Sequence, residues 1–161
     1  MSEILDVCAD LDRVTFEPGE VILAEGDDGG SLFILISGDV AIAKGDVHLV
    51  TVSEPGAVFG EMAALLGGPY SATATAVTDV HARHSSDGAA LLASRPVLGM
   101  HAARVLARRL HAATAYLADL KTQFSDRSDH FGMMDVILEA LLQKQGTAAD
   151  QTVKPQQDPR L

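Results

Sequence analysis

Between Val14 and His84, short apolar runs alternate with turns built from Gly, Pro and Asp, and this punctuation limits what the chain can fold into. Residues 14–16 precede Glu17-Pro18-Gly19-Glu20. Residues 21–24 precede Glu25-Gly26-Asp27-Asp28-Gly29-Gly30. Residues 31–37 form a strongly apolar run that closes at Gly38-Asp39. Residues 40–43 lead through Lys44-Gly45-Asp46, a predicted hairpin turn, to a return strand over 47–52. Glu54-Pro55-Gly56 is a further turn, and residues 72–80 alternate Thr with Ala and Val, which suits one half-buried strand. Strands this short and evenly spaced predict an antiparallel barrel, roll or sandwich.

One segment breaks the β texture. Gly60-Glu61-Met62-Ala63-Ala64-Leu65-Leu66 has helical propensity but spans only about two turns, and Gly67-Gly68-Pro69 ends it. Gly60 permits close backbone approach, and the N–H groups of Met62 and Ala63 lie in the first turn, where no intrahelical acceptor exists. Such donors suit a phosphate oxygen. Glu61 can accept from a sugar hydroxyl, and Ser71 adds a hydroxyl donor.

Beyond Ala89 the chain is rich in Ala and Leu. A long helix is predicted over 96–124, starting at Pro96, with Leu106, Leu110, Ala113, Leu117, Leu120 and Phe124 spaced as a short heptad seam. That seam suits either a homodimer or packing on the chain's own barrel. Residues 125–132 break the helix, and a second amphipathic helix follows over 133–145, with Met134, Ile137, Leu138, Leu141 and Leu142 on one face and Gly146 as its cap. The polar stretch 147–161 is predicted to be disordered. The domain reading is therefore 1–124 as the main domain with its long helix, 125–146 as an added helix, and 147–161 as a tail.

Composition narrows the function. Apolar residues make up 47% of the 161 positions, enough for a packed core without staples. The one cysteine, Cys8, cannot form an internal disulfide, has no base beside it in sequence, and reads as apolar filler in a short N-terminal helix. The acidic N-terminal stretch does not read as a signal peptide, and no apolar run is long enough for a membrane span, so a cytoplasmic chain without a membrane partner is expected. A net charge of −10 disfavours nucleic acid. Arg104, Arg108 and Arg109 read as a solvated helix face. The histidines complete no metal set, and no nucleophile–base motif, P-loop or metalloprotease motif occurs, so neither a cofactor nor enzymatic activity is expected.

The turns and the broken segment together resemble the cyclic-nucleotide-binding domain, the family of bacterial catabolite activator proteins, protein kinase A regulatory subunits and cyclic-nucleotide-gated channels. The matching residues are Pro18-Gly19-Glu20, Glu25-Gly26-Asp27, Phe33-Ile34-Leu35-Ile36-Ser37-Gly38, Val40, Pro55-Gly56, Phe59-Gly60-Glu61-Met62-Ala63, Pro69, Ser71-Ala72-Thr73 and Thr78-Asp79. The resemblance implies an α+β fold: an eight-stranded antiparallel β-roll, jelly-roll-like, with an inserted cassette helix, a short N-terminal helix and C-terminal helices. It implies a ligand site at Gly60, Glu61, Met62, Ala63, Tyr70, Ser71 and Ala72, with Glu61 on the ribose 2′-hydroxyl and Ser71 on the phosphate. It also implies that the long helix acts as a lid.

The family usually places an arginine, paired with the cyclic phosphate, where this chain has Tyr70. Losing one partner of a desolvated ionic hydrogen bond costs about 2–5 kcal/mol, on the order of thirtyfold to several-thousandfold in affinity. Three readings stay open: a stand-alone module binding cyclic AMP or cyclic GMP weakly, a ligand-free interaction or dimerisation module, or a pocket remade for another small ligand. Activator-type relatives carry a helix-turn-helix after the long helix. Here one helix and a polar tail follow, without a basic recognition face, so no DNA partner is expected. The downstream listener would be a protein effector of unknown identity.

Overall fold

The structure, a computed structural model, describes residues 3–123 and 128–143, and the chain divides into two compact units, Met1–Arg104 and Val105–Leu161. The first unit opens with a short helix α1 (Glu3–Val7). Strands β1 (Asp12–Phe16), β2 (Val21–Leu23), β3 (Leu32–Ser37), β4 (Val40–Lys44), β5 (Val47–Val52) and β6 (Val58–Phe59) follow. Helix α2 (Glu61–Leu66), β7 (Thr73–Ala76), β8 (Val80–Ser85), α3 (Gly88–Ser94) and the long helix α4 (Pro96–Gln123) come next, ahead of one last helix. The eight strands form two antiparallel sheets, β1-β8-β3-β6 and β2-β7-β4-β5, which is the expected roll with flanking helices.

β3 shows why its sequence is apolar on both faces. Phe33 and Leu35 point into the roll with Ile22, Val40, Phe59, Ala74, Val80 and Ala82. Leu32 and Ile34 point the other way, into a second cluster with Cys8, Val58, Leu91, Leu92, Leu98 and Ala102. A strand buried on both sides cannot alternate. Each fully buried Leu or Ile contributes roughly 1.5–3 kcal/mol, so this strand unites the roll interior with the helical layer. The first turns of α4 are held there by Leu98 and Ala102. Arg95 ties the end of α3 back to the N-terminal segment: it donates to both carboxylate oxygens of Asp10 at 2.7 Å and to the Val7 carbonyl.

Two expectations are corrected. The single strand expected over 72–80 is two strands, β7 and β8, separated by a turn. Gly38 causes the break: at φ 104°, a Cβ there would stand 2.3 Å from the Asp79 carbonyl oxygen, so the β3–β4 turn packs directly on residues 77–79. Val77 N–H donates to Asp39 O at 2.8 Å, and Asp39 N–H donates to Thr78 Oγ1 at 2.9 Å. Local alternation cannot reveal a bend imposed by a distant turn. The last helix, expected to begin at Met133, is α5 (Ser128–Gln143). Ser128 and Asp129 are good helix-start residues, and Gly132 costs only about 1 kcal/mol inside a helix, too little to break it.

The boundary between the two units falls inside α4, after Arg104. In the second unit, Leu106, Leu117 and Leu120 of the seam are half-buried, while Leu110 is exposed. On α5, Leu138 and Leu141 are half-buried, Ile137 and Leu142 are exposed, and Lys121 pairs with Asp135. Phe124, Gly146 and the expected tail over 147–161 lie outside the described residues. Among the described residues, no helix is long and apolar enough to cross a membrane.

Candidate ligand site

The broken segment becomes a turn of backbone that only glycine can lead. Gly60 sits at φ 90°, directly before α2, and a Cβ there would meet the Ser31 carbonyl oxygen at 2.6 Å and Tyr70 Cε1 at 3.3 Å. L-residues avoid that dihedral, and here the space is filled as well. The first backbone bond of α2 runs from Ala64 N–H to Gly60 O at 3.1 Å, and the helix closes with Gly67 N–H on Ala63 O at 2.8 Å. Glu61 is buried at 6% exposure, and it is the buried charged side chain among the described residues. Ala63 is buried beside it, and Met62 is exposed.

The return from α2 is laced to the loop after β2. Gly29 N–H donates to Gly68 O at 3.1 Å, Tyr70 N–H to Asp27 O at 2.9 Å, and Gly26 N–H to Tyr70 O at 3.0 Å. Tyr70 itself is buried, and its ring does not point to solvent. Its hydroxyl donates to Ser31 O at 3.1 Å and accepts from Ser31 N–H at 3.1 Å. Ser31 Oγ lies 3.1 Å from His84 Nε2, and the His84 ring stacks on Phe33 with centroids 4.8 Å apart. Tyr70 thus couples the cassette to the start of β3.

Ser71 is exposed, and its hydroxyl points to Met62 Sδ at 3.8 Å, a weak contact that leaves the oxygen able to accept and donate elsewhere. The structure therefore brings Gly60, Glu61, Met62, Ala63, Tyr70, Ser71 and Ala72 into one strand–helix–return segment. A separate cleft of about 560 Å³, lined by Ile4, Pro55, Val97, Met100, His101 and Arg104, contains none of these residues.

Sequence reasoning missed the polar group beside Ser71. Lys44 Nζ donates to Ser71 O at 2.9 Å and lies 3.6 Å from Glu25 Oε1. Glu25 Oε2 accepts from Gly45 N–H at 2.9 Å, and Glu25 N–H donates to Thr73 Oγ1 at 3.0 Å. The Gly45 amide, and then Lys44, hold the Glu25 carboxyl below the ordinary carboxylate range. In sequence Lys44 reads as a turn residue, and Glu25 as a turn residue within the family pattern. The signal was the β4–β7 pairing, which sets Ala43 opposite Thr73 and so brings Lys44 to the cassette return.

Residues 13–86 match the family model described as cyclic nucleotide-binding domain. The chain is 39% identical over 126 residues to a CRP-like cAMP-activated global transcriptional regulator of Mycobacterium tuberculosis, covering 74% of this chain and 56% of that protein. A solved structure of the Thermus thermophilus catabolite activator protein superposes with a TM-score of 0.63 at 31% identity, covering 75% of this chain and 60% of that one. The N-terminal domain of a Streptomyces coelicolor transcriptional regulator gives a TM-score of 0.51 at 28% identity, covering 68% of this chain and 82% of that one. The chain spans little more than half the length of the curated relative, 56%. The roll, the Gly60-led cassette and the family match agree, and the chain belongs to the cyclic nucleotide-binding domain family through residues 13–86.

Proposed function

We propose that this chain is a non-enzymatic regulatory module that binds cyclic AMP or cyclic GMP at its cassette, with affinity lowered by the absence of the family arginine. The supporting observation is a buried Glu61 following a left-handed Gly60, inside the segment that matches the family. In this reading Glu61 accepts from the ribose 2′-hydroxyl. The backbone at Gly60, Met62 and Ala63, with Ser71 and Ala72, faces the phosphate. Tyr70 supports the site from behind, since its hydroxyl is engaged with Ser31.

Signalling is assigned to α4 as a lid. Its first turns, as far as Arg104, belong to the same unit as the roll. A ligand that binds one α4 arrangement better shifts the population toward it by its differential affinity. The listener is a protein effector in the cytoplasm, with no DNA or membrane contact, and the seam of α4 is assigned to a homodimer. Light scattering tests the last point: a mass near the 16.9 kDa chain would remove the seam as a self-association surface.

Titration calorimetry with cyclic AMP and cyclic GMP tests the main reading. Saturable binding that weakens in Glu61→Ala supports the pose, and unchanged affinity in that variant removes it. A second reading, a ligand-free interaction module, is favoured by the complete engagement of the Tyr70 hydroxyl within the fold. It predicts no binding by the wild type, together with a folded protein.

A further inference from the structure

We propose that Lys44 is the anion-pairing residue of this cassette, a cation supplied by the β4–β5 hairpin where the Tyr70 position supplies none. The inference rests on the cyclic-nucleotide reading above and names the residue that meets the phosphate.

The placement follows from strand geometry. Val40 is buried and Ile42 packs on the core inside the roll. The next residues pair with β7, Ala43 standing opposite Thr73, so Lys44 ends β4 as an exposed residue beside the cassette return. Its side chain then reaches the cassette return, where Nζ donates to Ser71 O at 2.9 Å. An ammonium has three donors, and this bond uses one. Glu25 Oε1, at 3.6 Å, is an ion-pair neighbour beyond ordinary hydrogen-bond range. Glu25 is itself fixed to the hairpin by the Gly45 amide at 2.9 Å, so it keeps the ammonium near Ser71 without closing it off.

Tyr70 cannot take this role. A phenol is no cation, and its hydroxyl is turned to Ser31. The Lys44 side chain is 62% exposed, so the ammonium can turn from Ser71 O to a phosphate oxygen at small desolvation cost. On a chain with net charge −10, a local cation at the return also offsets the repulsion an incoming anion meets. The reach of Lys44 replaces a fixed bidentate arginine with a mobile point charge, which selects for negative charge more than for phosphate geometry.

The test titrates the full chain with cyclic AMP at several salt concentrations, using wild type, Lys44→Gln and Lys44→Arg, each checked for folding by circular dichroism. The expected result is an affinity up to about fivefold weaker in Lys44→Gln, a flatter salt dependence in that variant, and near wild-type affinity in Lys44→Arg. Wild-type binding left unchanged by Lys44→Gln overturns the proposal and leaves the cassette reading standing. Equal loss in Lys44→Gln and Lys44→Arg, with salt dependence unaltered, also overturns it, because charge is then not the active property. Absence of wild-type binding removes the cassette reading, and this proposal with it.

Discussion

The Tyr70 hydroxyl and the Ser31 backbone form a reciprocal pair, with Tyr70 donating to Ser31 O and accepting from Ser31 N–H, both at 3.1 Å. A phenol so placed is a structural strut between the cassette return and β3. Tyr70→Phe keeps the ring and leaves two partly buried backbone groups without that partner. The expected cost is about 1–2 kcal/mol, read as a shift in the denaturation midpoint at unchanged slope.

Gly60→Ala is expected to damage the cassette more severely. The new methyl would lie 2.6 Å from Ser31 O on a backbone at φ 90°. The dihedral alone costs about 1–2 kcal/mol, and the clash adds to it. Chemical denaturation should show a loss of more than about 2 kcal/mol, against a near-neutral Gly45→Asn in the hairpin turn, where nothing stands within 4 Å of a Cβ at φ 56°.

Stability at acid pH should depend on Glu25. Its folded carboxyl lies below the ordinary range, first because the Gly45 amide donates to it and then because Lys44 is near. A carboxylate with a depressed folded value stabilises the native state above its unfolded value, and that contribution is lost as pH falls through the folded one. Thermal midpoints measured from neutral to acid pH should therefore fall more steeply for wild type than for Glu25→Gln below the ordinary carboxylate value. Parallel curves would contradict the hairpin contact.

Cys8 should resist modification while the protein is folded. It is fully buried, and burial pushes its thiol above the usual value. Less thiolate and less access both slow alkylation. Iodoacetamide labelling at mildly alkaline pH should be slow in buffer and fast in denaturant. Rapid labelling of the native protein would show that the N-terminal segment does not pack as described.

The roll was legible because its turns are written in glycine and proline, and β3 because both its faces are apolar. The break between β7 and β8 was not, since it depends on Gly38 reaching residues far along the chain. The start of α5 was not legible, because residues 125–132 read as one polar break between helices. At the candidate site, a glycine-led short helix at Gly60 was legible from the break in the β texture. The Lys44–Glu25 pair was hidden: its two residues lie in different turns, and only the pairing of β4 with β7 brings them to Ser71. The inward direction of the Tyr70 hydroxyl was equally hidden, because nothing adjacent in sequence names Ser31 as its partner.

The most direct measurement is calorimetric titration of the folded wild-type chain with cyclic AMP and cyclic GMP, beside Glu61→Ala and Tyr70→Arg. The account predicts saturable binding of one or both nucleotides by the wild type, weaker in Glu61→Ala and tighter in Tyr70→Arg. No binding by the wild type or by a folded Tyr70→Arg would contradict it, and would leave the roll as an interaction module.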